Sequence, residues 1–352
     1  MQLTLKLKIN PTVEQAQILQ NTAIDYIALV NDIVEYALGQ GKTPKLTSKG
    51  INAPLPSAIR NQCIRDAKST YSKCRKTHIH HVLNKPVVIW NNQNYIVGDN
   101  AIYVPLLVER KCCRVAIPVV MTQEALNTLH NCKLGSLRVT KKNGKYIAQI
   151  AYEHPEADVQ GNNIMGIYLG LKCPAVCTTA DGKVKFMGNG RQNKYVRRHY
   201  NSKRRKMQKG KKRTSIVRNR RKESRVMNDI DHKLSREIVN FASANGVSVI
   251  KMEAISGIRA TAKTSRKNNH SLHSWTFYRL ASYIEYKANL LGIEVTYINP
   301  AYTSQKCPHC GKLNHAKDRD YGCSCGYHGH RDIVGAINIM NAPVASGNSL
   351  SA

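Results

Sequence analysis

Hydrophobic and polar positions alternate over the first nine residues, with Leu3, Leu5, Leu7 and Ile9 on one face, and a period of two predicts a half-buried strand. Asn10-Pro11 breaks it. Thr12 is then placed to cap a helix, with Gln15 as its capping-box partner, and Ala16, Leu19, Ala23, Ile27 and Val30 keep helical spacing to about Leu38. A polar loop with Gly39, Gly41 and Pro44 leads to a second helical stretch from Ser57 to about Lys76, which carries Arg60, Asn61, Gln62, Arg65, Lys68, Lys73, Arg75 and Lys76. From Pro86 to about Tyr152 the period returns to two. Short strands are expected at Val87 to Trp90, Tyr95 to Val97, Ala101 to Val104, Arg114 to Val119, Lys133 to Thr140 and Tyr146 to Ile150. Asn143-Gly144 joins the last two as a tight hairpin. Together with the N-terminal strand they make a small β-barrel.

The second half opens on an apolar run, Ile164 to Leu171, with a break at Gly170 and a return strand from Ala175 to a turn at Asp181-Gly182. From Arg191 to Arg225 roughly half the residues are Lys or Arg. A block this dense repels itself and is expected to stay disordered until a polyanion neutralises it, although a solvated basic linker or helix has the same composition. Met227 to Asn245 has helical spacing through Ile230, Leu234, Ile238 and Phe241, with Asn245-Gly246 as a C-terminal stop. Val247 to Glu253 is a buried strand, Ser274 to Leu291 a helix, and Val295 to Ile298 a further strand. Residues 343–352 are expected to form a flexible tail.

Charge narrows the partners. Among 352 residues, 54 are Lys or Arg and 22 Asp or Glu, a formal net charge of +32 that exceeds what solubility asks for and implies a polyanion. With 42% hydrophobic residues the chain can still bury a core. No eighteen-residue apolar run exists and the N-terminus alternates like a strand, so the expected setting is cytoplasmic, at the nucleoid, with no membrane.

Of eleven cysteines, four are clustered as Cys307-Pro308-His309-Cys310 and Cys323-Ser324-Cys325. Two close pairs followed by Gly311 and Gly326 have the spacing of a zinc ribbon, in which four thiolates satisfy tetrahedral Zn²⁺ and leave no open position. Metal-free redox pairs are the alternative. The second knuckle is the tighter C-x-C, which leaves His328 and His330 as further candidate ligands.

Ile164-Met165-Gly166-Ile167-Tyr168-Leu169-Gly170-Leu171-Lys172 resembles the first RuvC motif of the TnpB family, transposon-encoded RNA-guided DNA endonucleases related to type V CRISPR effectors. Ile250-Lys251-Met252-Glu253, followed by Gly257-Ile258-Arg259, resembles the second motif, and His330-Arg331-Asp332-Ile333-Val334-Gly335-Ala336-Ile337-Asn338-Ile339 the last. The resemblance covers Met1 to about Asn341, with the cysteine cluster between the second and third motifs. In that family an aspartate stands where Tyr168 stands here and holds catalytic magnesium. Asparagine and alanine are commoner where Val334 and Gly335 stand. Two-metal nucleases need convergent carboxylates to neutralise the attacking and leaving oxygens. A phenol with pKa near 10 does not replace one at neutral pH. Glu156, Asp158 and Asp181 are not placed to aim a carboxylate at the same point.

The resemblance implies an α+β, multidomain fold: an N-terminal β-barrel (wedge-like) domain at 1–10 and 86–155, an inserted helical recognition lobe at 11–85, an RNase H-like RuvC domain at 160–302 and 331–342, and an inserted zinc ribbon at 303–330. It implies a guide RNA of the omega type and double-stranded target DNA with a short adjacent motif as partners. Read with Tyr168, it predicts a nuclease-dead, RNA-guided DNA-binding protein that represses transcription by occupying a promoter. Tyr168, Glu253 and Asp332 are then vestigial, Cys307, Cys310, Cys323 and Cys325 hold structural Zn²⁺, and Mg²⁺ is not expected to support catalysis. Expected nucleic-acid contacts are Ser57, Asn61, Gln62 and Arg65 at the adjacent motif, and Arg197, Arg198, Lys203, Arg204, Arg205, Arg259 and Arg266 along phosphates. The alternatives are an active RNA-guided endonuclease of the family and a guide-independent nucleic-acid-binding accessory protein.

Overall fold

The alternating N-terminus forms β1 (Gln2–Ile9), the middle strand of a seven-stranded antiparallel sheet, in a computed structural model that describes residues 1–155, 157–158, 161–254, 277–316 and 318–343. The other strands are β2 (Val87–Trp90), β3 (Ile96–Val97), β4 (Ala101–Val108), β5 (Lys111–Val120), β6 (Lys133–Lys142) and β7 (Lys145–Glu153), in the order β2-β6-β7-β1-β5-β4-β3. The sheet curls as expected for a barrel: the Trp90 indole N–H on an edge strand donates to the Pro105 carbonyl on β4 at 3.3 Å. Asn143 and Gly144 both adopt positive φ, the conformation a two-residue hairpin requires. Glu109 and Arg110 do the same between β4 and β5, so these strands run on to a tight hairpin whose tip carries neither Gly nor Asn to announce it.

Between β1 and β2 lie α1 (Val13–Gln40), with the Thr12–Gln15 capping box formed, and α2 (Ser57–Thr77). Leu19, Tyr26 and Ile59 of these helices share one core with Val88, Trp90, Val104 and Leu137 of the sheet. The Tyr26 hydroxyl donates to Asp66 at 2.7 Å, which ties α1 to α2 inside that core. A helix absent from the sequence reading, α3 (Gln123–Asn131), follows β5, with Thr122 as its N-cap and Leu129 buried.

The chain divides at Pro155 into two compact units. In the second, β8 (Asn163–Leu169), β9 (Ala175–Thr179) and β10 (Val184–Met187) form an antiparallel meander, and β11 (Val247–Glu253) and β12 (Glu294–Ile298) add parallel strands on the other side of β8. The order β10-β9-β8-β11-β12 is the RNase H-like arrangement expected. α6 (Phe277–Asn289) precedes β12 and α7 (Arg331–Asn341) packs on β8. A Cβ on Gly166 would lie 2.1 Å from the Ala336 carbonyl, so the missing side chain lets α7 approach the strand. Met165, Ile167, Ile250 and Met252 meet Leu234, Ile238 and Ile284 in the core.

The basic block is ordered, contrary to the expectation of disorder. It forms α4 (Gly190–Lys209) and the first part of α5 (Arg213–Ala244). The reason is an internal counter-charge. Buried Glu223 of α5 takes Arg204 at 2.6 Å and Arg197 at 3.8 Å, and Asn219 donates to the Tyr200 carbonyl at 3.0 Å. A short two-stranded piece, β13 (Asp320–Gly322) and β14 (His328–His330), packs Tyr321 with Cys307, Cys323 and Val334. Among the described residues no helix is long and apolar enough to cross a membrane. Residues 344–352 of the expected tail, and Arg259 and Arg266, lie outside the described residues.

Candidate functional site

Strand register brings the first two motifs together. Ile167 of β8 pairs with Met252 of β11, so Tyr168 and Glu253 follow side by side at the C-terminal ends of two parallel strands. Asp332 comes from the first turn of α7. Burial pushes the Tyr168 phenol up, and the negative charges of Glu253 and Asp332 add to the shift. The cleft here has a volume of about 390 Å³ and is lined by Tyr168, Glu253, Thr303, Ser304, Arg319 and Arg331, among others.

Both carboxylates are already engaged. Burial raises Glu253 to about 7, against a hydrogen bond from the Thr303 hydroxyl that works the other way. Asp332 is 1% exposed and ion-paired with Arg319, and its backbone N–H donates to His330 Nδ1 at 3.2 Å. Arg331 donates to Ser304 at 3.2 Å on the other side of the cleft. Thr303, Ser304 and Arg319 escaped the sequence reading because they lie outside the three motifs, where nothing local marks them.

No other carboxylate takes the place of the missing aspartate among the described residues. Asp318 lines the cleft but is exposed and bound to Lys172 at 2.8 Å. Asp181 accepts from Asn163, at the opposite end of β8 from Tyr168. Glu156 lies outside the described residues. Among those described, the four cysteines form the one group of three or more His, Cys, Asp or Glu side chains whose donor atoms sit close enough to share an ion.

That group fits zinc. The sulfurs of Cys307, Cys310, Cys323 and Cys325 all lie within 4.8 Å of one another, with separations of 3.7 Å for Cys307–Cys325 and 3.5 Å for Cys310–Cys323. A tetrahedron with Zn–S bonds of ~2.3 Å has edges of ~3.8 Å. Gly311 and Gly326 take positive φ and close the knuckles with N–H bonds to the Cys307 and Cys323 carbonyls. A backbone N–H bond from Cys325 is the largest influence drawing the Cys323 thiol down to about 6, toward the thiolate that a metal requires. His328 and His330 stand outside the sulfur group; His330 caps α7 and packs edge-on against Phe186.

Two family models match the chain. One, described as "Probable transposase", covers residues 148–259, and the other, "Cas12f1-like, TNB domain", covers residues 277–339. A TnpB-like protein of Methanocaldococcus jannaschii is 34% identical over 156 residues, 42% of this chain and 56% of that protein. The chain belongs to the TnpB family. The CRISPR-associated endodeoxyribonuclease Cas12f1 of Sulfoacidibacillus thermotolerans is 29% identical over 218 residues, 56% of this chain and 50% of that protein. This chain thus spans about half the length of these two relatives. A Cas12f1 solved by cryo-EM in complex with sgRNA and target DNA shares the fold, with a TM-score of 0.69 over 97% of this chain and 99% of that one at 14% identity.

In this TnpB-family chain the expected nucleic-acid contacts separate by orientation. Ser57, Asn61 and Arg65 are exposed at successive i, i+4 positions on one face of α2, whereas Gln62 is half-buried and donates to Asp66 at 3.0 Å. Arg198, Lys203 and Arg205 are exposed on α4. Arg197 and Arg204 turn inward to Glu223, so the structure gives them a packing role in place of open phosphate contacts.

Proposed function

We propose that this chain binds double-stranded DNA under the direction of a guide RNA without cutting it, and represses transcription by occupying a promoter. The observation that carries the proposal is Tyr168. Its ring stands where the family's aspartate holds magnesium, while Glu253 is bonded to Thr303 and Asp332 to Arg319. In this reading sequence specificity resides in base pairing, and the protein holds the duplexes through backbone contacts, which agrees with a net charge of +32. A bound R-loop blocks a polymerase sterically, so repression needs no hydrolysis. The four cysteines hold structural Zn²⁺, Mg²⁺ supports no catalysis, and the protein works at the nucleoid. Ser57, Asn61 and Arg65 face the adjacent motif, and Arg198, Lys203 and Arg205 the phosphates. The wedge, recognition, RuvC and ribbon assignments belong to the same reading.

The test is to express the chain with its flanking genomic DNA, sequence the RNA that copurifies, and offer the complex matching duplex with Mg²⁺, beside Tyr168→Asp. Guide-dependent binding without strand cleavage is the expected result. Magnesium-dependent cutting by the native protein would return it to the endonucleases, and binding indifferent to the RNA would make it a guide-independent accessory protein.

A further inference from the structure

The outer face of α4 carries side chains that neither the core nor the ion pairs use. Tyr195 is 68% exposed, and its ring lies stacked with that of His199, 6.1 Å between centroids at 24°. His199 meets Tyr200 edge-on at 5.4 Å, and Lys203 stands over the Tyr200 ring at 6.0 Å. Only Gly190 of this helix is buried, so these aromatics are not anchoring it to a core. Its sequence contains no Asp or Glu. With Arg197 and Arg204 drawn to Glu223, the exposed cations one turn from the stacked pair are Arg191 and Arg198, on either side of Tyr195, and Lys203, beyond His199.

We infer that Tyr195 and His199 form a base-stacking platform for unpaired nucleotides of RNA, with Arg198 and Lys203 holding the flanking phosphates. The inference rests on the guide-RNA reading above and names the part of the RNA that α4 engages. Bases inside a duplex or heteroduplex have both faces covered by their neighbours. An unpaired nucleotide has a free π-face, which exposed aromatics accept regardless of sequence, while cations beside them track the backbone. Phosphate contacts alone would call for cations and leave the tyrosine unexplained.

Stacking and charge separate by salt. Binding of the copurified RNA, and of an unstructured oligouridylate, is measured without DNA over a range of salt for the full-length native protein and for Tyr195→Ala, Tyr195→Phe, His199→Ala and Lys203→Ala. Tyr195→Ala and His199→Ala are expected to weaken binding roughly tenfold at every salt concentration, with the slope of log K against log salt unchanged. Tyr195→Phe keeps native affinity, and Lys203→Ala lowers the slope by about one. Ultraviolet cross-links from the RNA should map to Tyr195. Unchanged affinity in Tyr195→Ala, or a loss seen only once a DNA strand is displaced, overturns the platform while leaving guide binding intact. No guide-dependent binding by the native protein would instead overturn the reading beneath it.

Discussion

The ring of Tyr168 lies directly over Gly335. A Cβ on Gly335 would fall 2.6 Å from Cδ2 and 3.0 Å from Cε2 of the tyrosine, closer than carbon atoms can approach. The two residues are far apart in sequence, one near the end of β8 and one in α7, and each departs from the motif the family commonly carries. Tyrosine occupies the aspartate position, and glycine a position where alanine is commoner. Their contact links the two departures: at Gly335 the helix lacks the one methyl that would exclude the ring.

That fit predicts strong coupling. Gly335→Ala should destabilise the native protein by about 1–3 kcal/mol through overpacking. In a Tyr168→Asp background the same change should be neutral or stabilising by up to ~1 kcal/mol, because alanine is the better helix former and the obstruction is gone. A double-mutant cycle from denaturant unfolding should give a coupling of at least about 1 kcal/mol. Additive effects would mean that the ring and the glycine tolerate each other by accident.

Placing a carboxylate at position 168 is expected to create a cation site. Tyr168→Asp places a third acid beside Glu253 and Asp332, so in chelator its Tm should fall, and added Mg²⁺ or Mn²⁺ should recover several degrees by binding only the folded state. The native Tm is expected to be unmoved by the same cations. A shift of equal size in the native protein would show that Glu253 and Asp332 bind the cation without a carboxylate at position 168.

Glu253 makes stability depend on pH. Its folded pKa is raised to about 7 from 4.5, so between these values the folded state holds a proton that the unfolded chain has released, and stability falls as pH rises through this window. The loss is on the order of 3 kcal/mol at pH 8. Glu253→Gln, measured in chelator, should therefore match the native protein near pH 4 and exceed it by a few kcal/mol at pH 8. Parallel curves for the two proteins would show that the carboxylate is not paying for its burial.

Much of this architecture was legible because its signals are local. Thr12 and Gln15 mark the start of α1, Asn143-Gly144 the β6–β7 turn, and the cysteine spacing the ribbon. α3 carries its own signal in Thr122 followed by Ala125, Leu126 and Leu129, but that signal is short and lies inside a stretch dominated by strands. The order of Arg191 to Arg225 was not legible, because the charge that permits it is one glutamate, Glu223, which acts only once α4 and α5 lie together. The same holds in the cleft. The motifs place Tyr168, Glu253 and Asp332 on their elements, but that Thr303 and Arg319 occupy the two carboxylates depends on how the loop after β12 and the ribbon return to the sheet.

That return makes the ribbon more than an appendage. Arg319 lies between the two cysteine knuckles and pairs with Asp332, which is 1% exposed at the start of α7. The strands β13 and β14 have three residues each and a small apolar core, too little to hold their shape without the thiolate cluster. Removing zinc should therefore withdraw the guanidinium from a buried carboxylate as well as loosen the ribbon. An unpaired buried charge costs ~3–5 kcal/mol, so Arg319→Met at full zinc occupancy should destabilise by about that much. Adding Asp332→Asn should recover most of it. A strong chelator should lower the Tm of the native protein by more than that of the Arg319→Met/Asp332→Asn double variant, because the double variant has no buried charge to strand. Metal analysis should give one zinc per chain before chelation. Equal drops in Tm for the two proteins would show that the ribbon and the buried Asp332 are energetically independent.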